Sequence, residues 1–140
     1  MNNELLQKEL TNLFKDRFSI SESTRSNYAR GEDTYDPVLS QAVVFPETNE
    51  EVSKVLKLCN DHKTPVVPFG TGTSLEGHVV GNKNGITISL EKMNKVLSVN
   101  AQDFDCRVQA CVTKEQLNEY LREDGVFFPI DPGANAAIGG

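Results

Sequence analysis

Apolar residues recur at helical spacing near the start of the chain. The residues at positions i, i+4, i+7 and i+8 are Leu6, Leu10, Leu13 and Phe14. This spacing predicts a helix over residues 3–16 with one apolar face. Residues 19–40 are polar and have no clear period. Long irregular segments of this kind in compact domains are often functional or cover another part of the fold.

A strand, a helix and a second strand follow in close succession. Residues 42–46 and 65–69 are apolar and predict two short strands. Between them, Thr48 and Glu51 have the spacing of a capping box, which satisfies free backbone donors where a helix starts. We therefore predict a helix over 49–62, with its apolar positions at Val52, Val55, Leu56 and Cys59. Because the links are short, the three elements predict a βαβ unit with parallel strands.

The next part of the chain alternates between apolar and polar residues, as strands do. Residues 86–90 have period two, which predicts a half-buried strand, and residues 96–100 predict another. A longer alternation covers 104–112, with one apolar face that includes Cys106.

A further helix is predicted from a second capping box at Thr113 and Gln116. Gly125 would end this helix as a C′ glycine, and residues 126–128 would form a last strand. The residues of the helix predicted to face inward are Leu117, Tyr120 and Leu121. The chain therefore predicts an α+β fold, with helices packed on a mixed sheet that contains a βαβ unit. We divide it into an N-terminal helix and irregular segment, 1–40, and a second part, 41–140.

Composition narrows the class of protein. The chain has 140 residues, 38% of them hydrophobic and 24% charged, with a net charge of −6. An acidic chain without a basic stripe disfavours nucleic acid as a partner. No apolar run approaches the ~18 residues of a membrane span, and the N-terminus lacks a signal-peptide core. We expect a cytoplasmic protein.

The cysteines and histidines do not form a recognisable metal pattern. Cys59, Cys106 and Cys111 contain no CxxC pair, and there are two histidines. This composition fits a reducing compartment and disfavours a zinc site. Cys59 and Cys106 fall on apolar faces and are predicted to be core residues. Cys111 lies on the opposite face of its strand from Cys106 and is predicted to be the exposed thiol.

The chain contains a glycine-rich stretch, VPFGTGTSLEG, at residues 67–77. Residues 66–75 carry no charged side chain, so an anion held here would need backbone N–H groups and hydroxyls. The lysine of a triphosphate-binding loop is absent, and Leu75 stands where a dinucleotide fingerprint needs its third glycine. A loop between two strands remains. At this point, a ligand site and a ligand-free hairpin connection are equally open.

A second loop shares this small-residue character. Residues 128–140 read FPIDPGANAAIGG and follow the last predicted strand. Small side chains allow the backbone to approach a flat or bulky ligand closely. Two such loops could hold a dinucleotide from two sides. We expect the Asp131 side chain to fix this loop by an Asx-turn.

Three stretches of the chain carry a family resemblance: VPFGTGTSLEG with His78, then ITISL, then VTKEQLNEYLREDGVFFPIDPGANAAIGG. Together they resemble the PCMH-type FAD-binding domain of the vanillyl-alcohol oxidase flavoprotein family. Within it, the D-lactate dehydrogenase and glycolate oxidase branch is most similar. The resemblance covers residues 37–140. One departure is Ala110-Cys111, where the family has Pro-Gly or Ala-Gly.

The resemblance implies that the Gly-Thr-Gly-Thr-Ser loop cradles the FAD pyrophosphate, and that the second loop lines the flavin and the adenine-side linker. It implies no catalytic residue and no metal ligand in this chain. The cofactor-binding residues it implies are Pro68, Phe69, Gly70, Thr71, Gly72, Thr73, Ser74, Leu75, Gly77, His78, Pro132, Gly133, Ala134, Ile138, Gly139 and Gly140. For His78, contact with the flavin edge and simple packing in the loop are equally open.

By the same resemblance, the chain is the FAD-binding portion of a flavin-dependent D-2-hydroxy acid dehydrogenase or oxidase, acting on lactate or glycolate. We expect an N-terminal piece of a longer protein, inactive by itself. The alternative is a non-catalytic nucleotide-binding or interaction module, which could self-associate through an unfinished sheet edge. Tyr28, Arg30 and Tyr35, in the irregular segment, are expected to lie in a solvated loop.

Overall fold

A computed structural model describes residues 3–139 and contains four helices and six strands in that part of the chain. Two short 3-10 turns, Lys15–Arg17 and Arg122–Asp124, follow the first and last helices. In chain order, the elements are α1 (Glu4–Phe14), β1 (Phe18–Ser19), α2 (Glu22–Ser26), β2 (Val43–Val44), α3 (Asn49–Asp61), β3 (Val66–Phe69), β4 (Ile86–Ser89), β5 (Val96–Asn100), β6 (Asp105–Val108) and α4 (Lys114–Leu121).

The main sheet has four strands in the order β1-β2-β4-β3. β1 pairs antiparallel with β2, whereas β2 and β3 both pair parallel with β4. Thr87 of β4 has Val43 on one side and Val67 on the other. The strands of the predicted βαβ unit are therefore parallel, but β4 lies between them.

One hydrophobic core fills the space between α1, α3 and this sheet. Burial of each large apolar side chain contributes ~1.5–3 kcal/mol. The apolar faces predicted for α1 and α3 are confirmed except at their margins, where Leu13 of α1 and Leu56 of α3 are exposed. The buried members of the core are Leu6, Leu10, Phe14, Ala42, Val44, Val55, Cys59, Ile86 and Ile88.

β4 is buried on both faces, and the prediction that it is half-buried is wrong. Its four residues are all buried because the helices cover one face and the irregular N-terminal segment covers the other. On that second face, the Thr87 hydroxyl donates to Ser40 Oγ at 2.8 Å, and the Asn82 N–H donates to the same oxygen at 3.0 Å. These contacts satisfy the buried hydroxyls, as burial of polar groups requires.

A second, smaller core forms where α4 packs on the β5–β6 hairpin. Its buried residues are Val112, Leu117 and Leu121, and Tyr120 is exposed, contrary to prediction. The predicted strand over 104–112 is too long. It ends at Val108, and the Val112 N–H bonds to the Gln109 carbonyl in a turn.

The prediction for two cysteines is also reversed. Cys111 is buried, because the alternation of faces stops where β6 ends. Cys106 is exposed on β6, whose first three residues are all exposed. Burial raises the pKa of the Cys59 thiol to about 11 and also raises that of Cys111.

The hydroxyl caps of α3 and α4 are confirmed, but the second half of each capping box is not. Thr48 and Thr113 each accept the backbone N–H three residues ahead. The Glu51 carboxylate, however, accepts from the Glu47 N–H at 2.8 Å, and the Gln116 amide donates to the Asn94 carbonyl. At the other end of α4, Gly125 has φ +70°, as a C′ glycine requires.

Residues 126–128 form no strand, which corrects that prediction. Their backbone pairs instead with one side chain of α4. The Phe128 N–H donates to Asn118 Oδ1 at 2.7 Å, and Asn118 Nδ2 donates back to the Phe128 carbonyl at 3.3 Å. Among the described residues, no helix has the length and apolar character to cross a membrane.

Candidate functional site

The glycines and hydroxyls of the glycine-rich stretch lie in residues 70–85, which connect β3 to β4, as predicted, and contain no helix or strand. Because β3 and β4 are parallel, this connection is not a hairpin. Gly72 and Gly77 have φ of +73° and +76°, a region that disfavours other residues. A Cβ on Gly72 would lie 2.7 Å from the Phe69 ring. We call residues 70–78 the glycine loop.

The glycine loop forms one wall of a cleft of about 110 Å³. None of the described residues that line this cleft has a carboxylate, ammonium or guanidinium group. They are Gly70, Thr71, Gly72, Thr73, Ser74, His78, Val79 and Ala137.

The glycine loop contains hydrogen-bond donors that the protein does not use. Within residues 3–139, the backbone N–H groups of Thr73, Ser74 and Leu75 have no acceptor. Two pairs of polar side chains lie close together in the loop. Thr71 Oγ1 is 3.3 Å from Thr73 Oγ1, and Ser74 Oγ is 3.2 Å from His78 Nδ1. Free N–H groups on a concave backbone beside hydroxyls are an arrangement that binds anions.

The second loop meets the glycine loop at one residue. The Ala137 N–H donates to Thr71 Oγ1 at 3.2 Å, and Ala137 also forms an antiparallel bridge with Thr113. The chain then runs beside residues 110–112, where the Gly139 N–H donates to the Ala110 carbonyl at 2.7 Å. A Cβ on Gly139 would lie 2.7 Å from Ala110 Cα, so this close approach requires glycine.

Residues 131–135 lie against the start of α4 and do not line the cleft. The Asp131 carboxylate forms an ion pair with Lys114 Nζ, which lowers the pKa of Asp131. This contact replaces the expected Asx-turn. Asn135 Oδ1 accepts the Glu115 N–H, and its amide donates back to the Glu115 carboxylate. A Cβ on Gly133 would meet no atom within 4 Å.

The structure brings together six of the residues predicted to bind the cofactor, namely Gly70, Thr71, Gly72, Thr73, Ser74 and His78. Phe69 lies beneath the loop, and Gly77 packs on the Tyr35 ring. Their assignment as cofactor contacts stays a prediction, as it does for the remaining residues that lie outside the cleft: Pro68, Leu75, Pro132, Gly133, Ala134, Ile138 and Gly139. Gly140 lies outside the described residues.

Sequence reasoning missed two residues of the cleft, Val79 and Ala137. It noted that the irregular N-terminal segment could cover another part of the fold, but not that this segment supports the glycine loop. The Glu32 N–H donates to the Gly72 carbonyl at 2.9 Å. The Tyr28 ring lies edge-on to Phe69, with 5.1 Å between the centroids. The available indication was Gly31, a glycine within an otherwise polar segment, whose added Cβ would meet the Gly72 and Ser74 carbonyls at 2.8 Å.

A larger and more open groove of about 840 Å³ runs along α3, lined by Leu56, Leu90 and Met93 among others. It is mainly apolar, whereas the smaller cleft is lined by glycines and hydroxyl side chains. The cleft at the glycine loop is therefore the better candidate for binding an anion.

Fold and cleft together define an α+β domain with a neutral, donor-rich loop suited to a phosphate group. Comparison with protein families matches residues 40–140 to the model described as the FAD binding domain. The chain belongs to this family, and FAD, the cofactor predicted from the sequence, is confirmed.

Relatives agree with this assignment, and a solved structure agrees with the fold. The chain is 42% identical to the probable mitochondrial D-lactate dehydrogenase of Danio rerio, over 87% of the chain and 24% of that protein. It is 30% identical to the glycolate oxidase subunit GlcD of Bacillus subtilis, over 73% of the chain and 22% of that protein. An alkyldihydroxyacetonephosphate synthase structure superposes with a TM-score of 0.88 at 21% identity, covering 98% of the chain and 28% of that structure.

The predicted fold class and the resemblance to the hydroxy-acid branch of the family are confirmed. The chain spans about a quarter of the length of these relatives. Activity, substrate and partners of the whole protein are therefore treated as proposals.

Proposed function

We propose that this chain supplies part of the FAD cradle of a flavin-dependent D-2-hydroxy acid dehydrogenase or oxidase, and that its glycine loop holds the FAD pyrophosphate. The observation that carries the proposal is the set of free N–H groups at Thr73, Ser74 and Leu75, beside a cleft with no anionic side chain. Backbone amides and hydroxyls suit a phosphate diester, because their N–H and O–H dipoles stabilise its charge by hydrogen bonding in place of water.

The size of the cleft fits one part of the cofactor. Pockets that enclose a whole small molecule have volumes of ~300–1,000 Å³. The cleft of about 110 Å³ is smaller than these and matches a phosphate-sized group. The isoalloxazine and adenine rings would lie outside it, toward the second loop and toward parts of the longer protein.

When bound, the flavin supplies the two-electron redox chemistry. The residues of this chain bind and orient the cofactor, and we assign none of them a catalytic role. A 2-hydroxy acid as substrate is supported by the names of the D-lactate dehydrogenase and glycolate oxidase relatives. A cytoplasmic location remains part of the proposal, although several relatives are named as mitochondrial proteins.

The second candidate is a nucleotide-binding or interaction module without activity of its own. The specific observation in its favour is β3, which pairs on one side with β4 and forms one edge of the main sheet. An unpaired strand edge can recruit another chain. Sedimentation of the chain over a range of concentrations tests this candidate, because edge-to-edge association requires the apparent mass to rise with concentration.

The test of the cofactor proposal is a titration of FAD with the chain, followed by the quenching of flavin fluorescence. We expect micromolar or weaker affinity, because the cleft contacts only part of the cofactor. ADP, which carries the diphosphate, should compete, and riboflavin, which has no phosphate, should not bind. Competition by riboflavin and none by ADP would show that the loop does not hold the pyrophosphate.

A matched pair of glycine variants sharpens this test. Gly72 and Gly125 have φ of +73° and +70°, so alanine strains both positions similarly. A Cβ on Gly72 meets the Phe69 ring, whereas one on Gly125 meets nothing within 4 Å. We expect Gly72→Ala to weaken FAD binding at least tenfold and Gly125→Ala to leave it unchanged. Equal affinities for the two variants would contradict the proposed site.

A further inference from the structure

We propose that residues 28–38, here called the arm, position the glycine loop so that its free N–H groups face the cofactor. The arm acts through the loop and not as a ligand. The inference rests on the proposed function for its link to FAD. The arm lies before the part of the chain that matches the family model, which begins at residue 40.

The first contact sets the direction of one peptide group. The Gly72 carbonyl accepts the Glu32 N–H at 2.9 Å and therefore points at the arm. In a planar trans peptide, the carbonyl and the N–H of the next residue point in opposite directions. Holding the Gly72 carbonyl on the arm consequently directs the Thr73 N–H away from it. This N–H is one of the donors without an acceptor in the described chain.

A second peptide group is held by close packing. A Cβ on Gly31 would lie 2.8 Å from the carbonyl oxygens of Gly72 and Ser74 and 2.8 Å from Val79 Cγ2. Glycine at position 31 thus lets the arm touch two loop carbonyls at once. Since the Ser74 carbonyl faces the arm, the Leu75 N–H of the same peptide group points away from it. The arm therefore orients the N–H groups of Thr73 and Leu75, two loop donors that have no acceptor within residues 3–139.

The arm has an internal brace that keeps its shape. Asp33 is buried, and its carboxylate accepts the Gly31 N–H at 3.1 Å and the Tyr35 N–H at 3.0 Å. A buried carboxylate is costly unless hydrogen-bonded, so these two donors fix the path of the chain between Gly31 and Tyr35. The brace keeps Glu32, which lies between the two donors, at the position from which its N–H reaches Gly72.

Both ends of the loop are fastened to the arm. The Ala29 carbonyl accepts N–H groups from Val38 and from Gly81, just beyond the loop. The Tyr35 ring covers Gly77 so closely that a Cβ there would lie 2.5 Å from the ring. The arm thereby holds Gly72 and Gly77 within the glycine loop and Gly81 just beyond it, which limits the conformations that the loop can adopt before a ligand arrives. Such pre-organisation lowers the entropy cost of binding.

The test measures backbone order in the loop without any ligand. In the wild-type chain, we expect ¹⁵N order parameters for residues 72–77 near the ~0.85 of a rigid backbone, and in Gly31→Ala a fall below ~0.6. Order in α3 should not change, whereas a general loss of structure would lower it too. Gly133→Ala is the matched control, because the same substitution there meets no atom within 4 Å. A folded Gly31→Ala protein with unchanged loop order would overturn the proposal.

Asp33→Asn provides a second variant if Gly31→Ala does not fold. It preserves volume but replaces one accepting oxygen of the brace with an NH₂ group. We expect it, too, to loosen residues 72–77, and unchanged loop order in this variant would equally count against the arm.

The measurement of FAD binding separates the positioning role from the proposed function. Gly31→Ala should weaken FAD binding at least tenfold, with far-UV circular dichroism unchanged. If the loop loosens but neither wild type nor variant binds FAD, the positioning role stands and the proposed function fails. If wild type binds FAD and the folded variant binds equally well, the positioning role fails and the proposed function stands.

Discussion

Arg17 and Glu51 are joined by two parallel hydrogen bonds, of 2.6 and 2.7 Å, between the end of α1 and the first turn of α3. Arg17 also donates to the Phe45 carbonyl at 3.2 Å. A bidentate pair of this kind fixes orientation as well as distance. It attaches the N-terminal helix to the strand and helix that precede the glycine loop.

Stability should depend on pH through this pair. The hydrogen bonds from Arg17 are the main reason that the pKa of Glu51 falls from 4.5 to about 2. Because the folded-state pKa of Glu51 is depressed, the stabilisation that the ion pair gives the folded state is fully present above pH 4.5. It is lost as the pH falls toward 2. We expect Glu51→Gln to cost about 1–2 kcal/mol in the free energy of unfolding at pH 7. Urea denaturation at pH 7 and at pH 2.5 measures the difference, which should shrink at the lower pH.

Glu50→Gln is the control for this measurement. Glu50 is exposed in the same first turn of α3, so its substitution removes a charge near the helix start without touching Arg17. A cost for Glu50→Gln as large as that for Glu51→Gln would assign the effect to the helix dipole instead of the ion pair.

Thiol reactivity should distinguish the three cysteines. Cys106 is exposed, whereas Cys59 and Cys111 are buried and have raised pKa values. The thiolate is the reactive form, so burial protects the latter two. We expect an alkylating reagent at pH 8 to modify Cys106 at least tenfold faster than the others, as measured by peptide mass spectrometry. Cys106→Ser should remove the fast phase. Rapid modification of Cys111 in the native protein would contradict its burial.

Tyr28 should make stability sensitive to high pH. Its hydroxyl donates to Glu91 at 2.7 Å, and burial followed by the Glu91 carboxylate raises its pKa from 10 to about 12. The stabilisation is fully present below pH 10 and is lost as the pH rises toward 12. We expect Tyr28→Phe to cost ~1 kcal/mol at pH 8 and less at pH 11 by chemical denaturation.

Tyr120→Phe, at an exposed position on α4, is the control for the Tyr28 measurement and should have no effect at either pH. If Tyr28→Phe lowers the free energy of unfolding equally at pH 8 and pH 11, the result would be inconsistent with a raised pKa of the Tyr28 hydroxyl.

The link between the two loops should depend on one hydroxyl. Thr71→Val removes the oxygen that accepts the Ala137 N–H, whereas Thr71→Ser keeps it. Loss of a hydrogen bond worth ~1 kcal/mol corresponds to roughly fivefold in an equilibrium. We therefore expect amide exchange at Ala137 to accelerate about fivefold in Thr71→Val and to change little in Thr71→Ser. Equal exchange in all three proteins would mean that the loops are held together by other contacts.

The sequence predicts the helices and strands of this fold better than it predicts which strands lie next to each other. Helical spacing and the hydroxyl caps at Thr48 and Thr113 locate α3 and α4 because these are local properties. The insertion of β4 between β2 and β3 depends on pairing between distant strands, which no local pattern reports. The same holds for Thr87, whose polar side chain predicts exposure but is buried against Ser40.

For the site, the sequence identifies the glycine loop but not its supports. The amino-acid sequence shows a cluster of glycines and hydroxyl residues without charges, and this cluster identifies six residues of the cleft. The sequence places Tyr28, Arg30 and Tyr35 of the arm in a solvated loop, although a long irregular segment can also cover another part of the fold. It does not identify the arm as the support of the glycine loop. The function of the arm in the fold depends on backbone groups, such as the Glu32 N–H, which every non-proline residue has and which therefore leave no mark in the sequence.

The position of β4 has a consequence for how the domain folds. Within residues 3–139, β4 is the one parallel partner of both β2 and β3, so the βαβ segment cannot form its sheet until the chain has passed residue 86. Pairing β3 with β4 closes residues 70–85 into a loop in the same step. Closure of such a loop costs entropy before the strand contacts repay it, and this slows folding. The glycine loop is therefore completed together with the sheet, and a ligand that stabilises the loop would also favour the pairing of β3 with β4.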